Sequence, residues 1–335
     1  MVYKKPQVSS IHYPSFQNSI PNLSGKIFAI TGTTSGTGKV ASQALASKGA
    51  RLILLNRPSP RATKSLVELK EAYPQAEINA VHCDLQSFAS VRQAVTQINA
   101  LCPHGLYALI NNAGIMAMPD QATKDGFDIQ MQTNHLSHFL LTCELFPTLE
   151  EGAEHYGESR LINHSSIARF VVKRLEAKYL ERRGGTLGGD GASMLFSGPR
   201  WVRYGQTKLA NAVFTAALHQ RLQKARSKVK ALVAHPGYAN TELQVTTDKH
   251  GGMSGWSSLG AKWISQSAED GTLGLLSCAV LPEAQSGHFY GPGKTIIATK
   301  GEAIAFPLQR QCTQQASIDL LWSKSCEAIG QEFRV

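Results

Sequence analysis

Seven short β-type runs, separated by helix-length stretches, constrain this chain more than any other feature. The strands read as 26–31 (KIFAIT), 51–56 (RLILLN), 77–82 (EINAVH), 107–112 (YALINN), 160–165 (RLINHS), 229–235 (VKALVAH) and 287–291 (GHFYG). Between them lie Ala/Leu/Gln-rich segments at 39–48, 63–73, 87–100, 134–149, 204–226 and 268–281. Strand–helix alternation predicts an α/β fold: a mostly parallel sheet with helices on both faces. For 335 residues the simplest parse is an N-terminal arm over 1–24 and one domain over 25–335. Two irregular stretches, 169–203 and 242–266, follow strand ends. Open α/β sheets bind ligands there, so these are the expected substrate loops.

Charge narrows the ligand. The formal net charge is +10, yet no Asp or Glu precedes Glu68, while Lys4, Lys5, Lys26, Lys39, Lys48, Arg51, Arg57, Arg61 and Lys64 do. The rest of the chain is nearly neutral. Such a balance suits nucleic acid or an acidic membrane surface. The acid-free segment, however, is apolar and Gly-rich and holds no nucleic-acid module, so a small phosphate ligand is expected and nucleic acid is not. No apolar run approaches the roughly 18 residues that span a bilayer. The first 24 residues lack the apolar core of a secretory signal. Six cysteines (83, 102, 143, 278, 312, 326) form no C-x-x-C pair and read as reduced, buried thiols. The expected location is the cytoplasm, with an organelle address in the acid-free arm left open. His135 and His138 share a helix face without a third ligand, so structural roles are expected for them and no metal.

The turn after the first strand carries the first chemical motif: Thr31-Gly32-Thr33-Thr34-Ser35-Gly36-Thr37-Gly38. Glycines let the backbone turn sharply and approach a pyrophosphate at a helix N-terminus. A P-loop is excluded, because Val40 follows Gly38-Lys39 and Thr33 stands where the first Gly is needed. Further along come Asn111-Asn112-Ala113-Gly114, Asn134 in TNHLSHFLLT, Ser166 in NHSSIA, Tyr204 with Lys208 in YGQTK, and Pro236-Gly237 with Thr241.

This ordered set resembles the short-chain dehydrogenase/reductase family over roughly residues 24–330. TNHLSHFLLT, YGQTKLAN, HPGYANTEL and SGHFYGPG followed by IDLLWSKSCEAIG resemble its retinol-dehydrogenase-like branch. The resemblance implies a single Rossmann-type doubly wound parallel sheet flanked by helices. It implies a catalytic set of Asn134, Ser166, Tyr204 and Lys208. A nicotinamide cofactor would lie against Gly32, Thr34, Ser35, Gly36, Thr37, Gly38, Asp84, Leu85, Asn112, Ala113, Gly114, Tyr204, Lys208, Pro236, Gly237 and Thr241. Homo-oligomers are frequent in the family.

The residues make chemical sense on their own. Tyr204 and Lys208 are four apart, so they share a helix face. A phenol with a pKa near ~10 is a poor acid–base group at neutral pH, and a neighbouring ammonium together with the positive nicotinamide ring would lower it. Tyr204 would then give a proton to the substrate oxygen in reduction or take it in oxidation, with Ser166 bonded to that oxygen. Lys208 would hold the nicotinamide ribose and Asn134 a relay water. The second strand ends Asn56-Arg57, where an acid would mark NAD and a base the 2′-phosphate of NADP. Arg57, helped by Thr34 and Arg61, therefore points to NADP(H).

The expected substrate is a small hydrophobic carbonyl or alcohol. Phe170, Leu195, Phe196, Trp201, Leu243, Met253 and Trp256 are either its pocket or ordinary loop anchors. Thirty-seven residues separate Ser166 from Tyr204, an unusual length, and include the Gly-rich insertion 184–191, either a lid or a surface loop. Rival readings are a reductase of C=C or C=N bonds on the same scaffold, and a non-catalytic NADP(H)-binding regulator.

Overall fold

The computed structural model describes residues 8–193, 198–239, 244, 247, 250–252, 265–293 and 298–335. β1 (Ile27–Thr31) and β2 (Arg51–Asn56) show why the sheet needs helices on both sides. Successive side chains alternate between faces, and every residue of β1 is buried. Ile27 and Ala29 join the core on one face, Phe28 and Ile30 the core on the other. Such strands read as continuous apolar runs because neither face meets water.

The chain continues through the expected alternation. A short helix α1 (Tyr13–Ser19) precedes β1 and α2 (Gly36–Ala46) precedes β2; α3 (Pro60–Ala72), β3 (Ile78–His82), α4 (Phe88–Leu101) and β4 (Ala108–Asn111) follow it. Next come α5 (Ile129–Met131), a π-helical turn (Gln132–Leu136), α6 (Ser137–Tyr156) and β5 (Ser159–His164). α7 (Pro199–Ala225), β6 (Val229–Ala234), α8 (Ala268–Val280), β7 (His288–Pro292), β8 (Ala303–Pro307), α9 (Arg310–Thr313) and α10 (Gln315–Ile329) complete the described elements. The sheet order is β3-β2-β1-β4-β5-β6-β7-β8, the Rossmann-type arrangement expected. The order reverses between β1 and β4. Their C-terminal ends form the crevice where such sheets bind ligands.

The structure departs from the sequence expectation in four places. β8 is an added edge strand, antiparallel to β7, so the sheet is not wholly parallel. Ile304 and Ala305 on it are exposed, and although its sequence, AIAFP, is apolar throughout, it ends in a proline, which suits an edge strand. α10 packs Ile318, Leu321 and Trp322 into the core beside α7. α7 itself begins five residues before Tyr204, with Pro199 at its first position, where a missing N–H costs nothing. Finally, residues 8–24 of the N-terminal arm are docked on the domain. Asp270 of α8 accepts hydrogen bonds from Ser10 Oγ and the amides of Ile11, His12 and Tyr13 at 2.8–3.0 Å. These fasten a short helix, Tyr13–Ser19, while Ile20 and Leu23 are buried in the core. Among the described residues no helix is long and apolar enough to cross a membrane. All six cysteines are buried and unpaired.

Candidate active site

The Gly-rich turn between β1 and α2 is built by close backbone approach. Gly32 and Gly36 have φ of +72° and +56°, in the left-handed region that glycine tolerates. A Cβ on Gly38 would sit 2.2 Å from Gly32 O and 2.5 Å from Asn112 Nδ2. Ser35 makes no side-chain cap, and no acid lies in the first turn of α2. The amides opening this helix are thus left to an anion. Thr34, Ser35 and Gly36 are half-buried, whereas Thr37 is buried and its hydroxyl donates to Asn112 Oδ1 at 2.8 Å. The Thr37 hydroxyl therefore braces the turn from inside.

Asn112 is the centre of that brace. Its Nδ2 donates to Thr31 O (2.9 Å) and Gly32 O (3.1 Å), and its Oδ1 also accepts from His164 Nδ1 (3.0 Å). Thr31 Oγ1 accepts from the amides of Asn112 (3.0 Å) and Ala113 (2.9 Å). Its proton goes to His138 Nε2 at 2.9 Å, because Nδ1 of that ring must be the N–H facing Asn134 O at 3.1 Å. Burial lowers the His138 pKa to about 4 and the His164 pKa to about 3, so both rings stay neutral. His138 thus fixes the direction of the Thr31 hydroxyl. Its spacing from Asn134 was the only sequence signal for this; His135 instead bonds Ser325 Oγ at 2.9 Å.

Asn134 lies inside the π turn rather than on a regular helix, and such turns recur at functional sites. Its Oδ1 accepts from Ile115 N (2.8 Å), and its Nδ2 donates to Ile115 O and Thr207 Oγ1 (both 2.9 Å). The side chain is fully engaged in tying the segment after Gly114 to α7. A Cβ on Gly114 would lie 3.2 Å from Asn134 Oδ1 and 3.4 Å from Lys208 Nζ, so these three residues meet at one point. Lys208 Nζ donates to His164 O at 3.0 Å and stands 5.7 Å from the Tyr204 ring centre. Ser165 and Ser166 divide the labour after β5. Buried Ser165 donates to Lys208 O at 2.6 Å, whereas half-buried Ser166 accepts from Ala168 N at 3.2 Å and lies near enough to Tyr204 to lower the phenol's pKa.

The expected electrostatics need correction. Burial raises the Tyr204 pKa to about 12, and only nearby Ser166 opposes it. Lys208 does not lower it; burial instead brings the lysine down to about 8. In the protein alone, removing both groups from water outweighs their mutual attraction. Tyr204 is a protonated phenol at neutral pH, the form that donates a proton.

At the end of β2, Asn56 accepts from Thr33 N (2.9 Å) and donates to Thr33 Oγ1 (2.7 Å), so it is occupied by the Gly-rich turn. Arg57 and Arg61 are exposed beside it and form no ion pair among the described residues. By contrast, Lys39 binds Glu68 at 2.7 Å and Arg51 binds Glu77 at 2.6 Å. Asp84 is half-buried at the end of β3, and Leu85 is buried with its carbonyl accepting from Ser137 Oγ at 2.6 Å. Pro236 O accepts from Gln266 Nε2 (2.8 Å), and Gly237 has φ +61° where a Cβ would strike Thr299 O. Thr241 lies outside the described residues, as do Leu195, Phe196, Leu243, Met253 and Trp256.

Two of the remaining pocket candidates can be placed. Trp201 stands edge-on to Tyr204 (centroids 6.0 Å apart) in an apolar cluster with Met116, Ala117 and Ala168, and its Nε1 donates to Ala192 O and Gly252 O at 3.1 Å. Phe170 is exposed and covers Arg169, whose guanidinium carbon lies 4.2 Å from that ring and 4.3 Å from Phe289. Arg169, which no motif marked, is fully buried without a carboxylate partner among the described residues. It donates to Ser166 O and to Gln309 Oε1, each at 3.0 Å.

A family model described as short chain dehydrogenase matches residues 26–180. Human polyprenol dehydrogenase is 31% identical over 317 residues, which cover 92% of this chain and 87% of that protein. Human retinol dehydrogenase 13 is 34% identical over 240 residues, 71% of this chain and 66% of that protein. Among solved structures, an uncharacterized protein from Mycobacterium Paratuberculosis superposes with a TM-score of 0.71 at 27% identity, covering 98% of this chain and all of the other. This chain belongs to the short-chain dehydrogenase family of oxidoreductases, in its retinol-dehydrogenase-like branch.

Proposed function

We propose that this protein is an NADP(H)-dependent oxidoreductase that interconverts a small hydrophobic alcohol and its carbonyl compound, with Tyr204 as the acid/base. The observation that carries the reading is the meeting of Tyr204 and Ser166 with Lys208, Asn134 and Gly114 at the sheet's switch point. When bound, the nicotinamide supplies or accepts the hydride. The chain's own residues do the rest. Buried Tyr204 holds a proton at its hydroxyl and passes it to the substrate oxygen during reduction, and Ser166 hydrogen-bonds the same oxygen. Lys208, held on His164 O, would hold the ribose, and Asn134 fixes the loop that carries Gly114.

The turn fits a dinucleotide: glycines at positive φ, an uncapped α2 and no acid in its first turn. Thr34, Ser35, Gly36 and Gly38 would hold the pyrophosphate, Asp84 and Leu85 the adenine edge, and Pro236, Gly237 and Thr241 the nicotinamide end. Arg57 supports NADP(H), since it is exposed beside the turn and unclaimed by any carboxylate among the described residues, while Asn56 is spent on Thr33. A guanidinium matches phosphate oxygens in two-point geometry. The apolar cluster around Tyr204, and relatives named for polyprenol and retinol, support a hydrophobic substrate. Six buried, unpaired thiols suit the reducing cytoplasm.

The test is turnover of a panel of apolar aldehydes and ketones with NADPH or NADH. Consumption of NADPH in preference to NADH is expected. Tight NADPH binding with no turnover of any carbonyl would overturn the enzyme reading in favour of a binding protein, and faster turnover with NADH would overturn the role of Arg57.

A further inference from the structure

Ser166 opens a tight 3₁₀ turn, Ile167–Val171, and caps it. Its Oγ accepts from Ala168 N at 3.2 Å, and its carbonyl accepts from Arg169 N at 3.1 Å. The serine hydroxyl therefore keeps its orientation only while the turn keeps its shape. α7 receives this turn at Gly205, the residue after Tyr204. A Cβ there would lie 2.9 Å from Ala168 O and 3.3 Å from Val172 Cγ1, and Ala168 packs in the apolar cluster that holds Tyr204. Where the turn sits on α7 thus sets where Ser166 stands relative to the phenol.

Arg169 ties the turn to the edge of the sheet. Its Nη1 donates to Ser166 O at 3.0 Å, while Nη2 and Nε donate to Gln309 Oε1 at 3.0 and 3.3 Å. Gln309 Nε2 in turn donates to Pro307 O, the last residue of β8, at 3.1 Å. From α9, Gln311 Nε2 donates to the carbonyls of Arg169 and Val172. The guanidinium rests on the ring of Phe289 in β7, and that ring stacks on Phe306 of β8 with centroids 5.4 Å apart and planes 5° apart. Arg169 is fully buried, and burial lowers its pKa to about 10, so it stays charged at neutral pH. A buried cation without a counter-ion is costly, and an apolar side chain would pack against the same rings without that cost. The bonds to Ser166 O and Gln309 are what the charge contributes.

From this we propose that Arg169 is the positioning residue of Ser166, locking the serine turn to the β7–β8 edge so that the hydroxyl meets the substrate oxygen beside Tyr204. Alignment of this kind acts on the chemical step, where small displacements of a hydrogen-bonding group cost most. The catalytic consequence rests on the carbonyl reading proposed above; the seating of the turn does not.

The test uses the full chain as wild type, Arg169→Met, Gln309→Leu, Ser166→Ala and each of the first two combined with Ser166→Ala, with circular dichroism to confirm folding. Gln309→Leu loosens the arginine without replacing it, which keeps a folded variant in the set if Arg169→Met does not fold. Two readouts are taken: hydrogen exchange at the amides of positions 168 and 169, and kcat and KM with NADPH and apolar aldehydes. Exchange at both amides should quicken by about tenfold in Arg169→Met and less in Gln309→Leu. The kcat should fall by about 10–100-fold in Arg169→Met and about threefold in Gln309→Leu, with NADPH affinity unchanged. In the Ser166→Ala background either substitution should lower kcat by less than about twofold, because a residue acting through the serine then has nothing to position. Unchanged exchange would overturn the seating. Faster exchange with the same fold-loss in both backgrounds would overturn action through Ser166 and leave a structural brace. If wild type reduced no carbonyl, the carbonyl reading and the catalytic consequence would fall together, while exchange would still decide the seating.

Discussion

The two sides of the crevice are built from different materials. On the nucleotide side, the turn after β1 is braced by neutral groups: Asn56 on Thr33, Thr37 on Asn112, and Thr31 between His138 and the amides of Asn112 and Ala113. On the substrate side, the braces are buried charges reaching distant carbonyls. Arg203 binds positions 187, 189 and 118, and Arg169 joins Ser166 to Gln309. The difference follows from what each side must do. A pyrophosphate needs free amides on a backbone bent sharply by glycine, which short side chains can hold from beneath. A substrate site needs long loops held far from regular structure, and arginine has both the reach and the five donors for it.

That contrast predicts unequal losses. Arg203→Met would leave Asp120 and Asp128 buried without their cation and should cost about 3–5 kcal/mol in chemical denaturation. Thr37→Val, on the neutral side, removes one hydrogen bond and should cost about 1 kcal/mol. Equal losses at the two positions would break the comparison. Arg57→Ala tests ligand binding, not folding. It should raise the KM for NADPH by about 10–100-fold and leave that for NADH nearly unchanged, given the usual strength of a hydrogen bond between charged groups.

The two buried protons sharpen the account further. With Lys208 near 8 and Tyr204 near 12, both groups are protonated at pH 7 in the free protein. As pH rises, the lysine loses its charge first. The kcat/KM for carbonyl reduction should therefore fall above pH 8, by about tenfold per unit, while the tyrosine still carries its proton. A profile flat to pH 10 would show that the lysine charge is not used. The smallest expected effect is that of His138→Phe. Thr31 then loses the acceptor that directs its proton, which should weaken nucleotide binding by about fivefold, near 1 kcal/mol. No change would mean that Thr31 holds the Asn112–Ala113 amides without help.

How far the sequence could be read follows the same division. The strands, the turn and the pairing of Tyr204 with Lys208 were legible because each depends on local spacing: alternation along a strand, glycine at a positive φ, or a step of four on a helix. Asn112 was legible only through the family resemblance. Arg203 and Arg169 were not, because their partners lie up to 140 positions away in the chain and are mostly main-chain carbonyls, which any residue supplies. The insertion looked free for the same reason. Its glycines suggest mobility, and nothing within it says that Asp120 and Arg203 bind it from outside. Tyr204 and Lys208 were legible only in part. The spacing of Tyr204 and Lys208 shows that they are neighbours, but not that both are buried, and burial decides both pKa values.

The central claim is that Tyr204 moves the proton, and a single measurement addresses it most directly. Wild type and Tyr204→Phe would be compared for NADPH affinity by fluorescence and for aldehyde reduction by nicotinamide absorbance. The account predicts unchanged NADPH affinity with turnover reduced by about 10²–10⁴-fold, the usual contribution of a positioned general acid. A variant that binds NADPH and reduces aldehydes at close to the wild-type rate would contradict it.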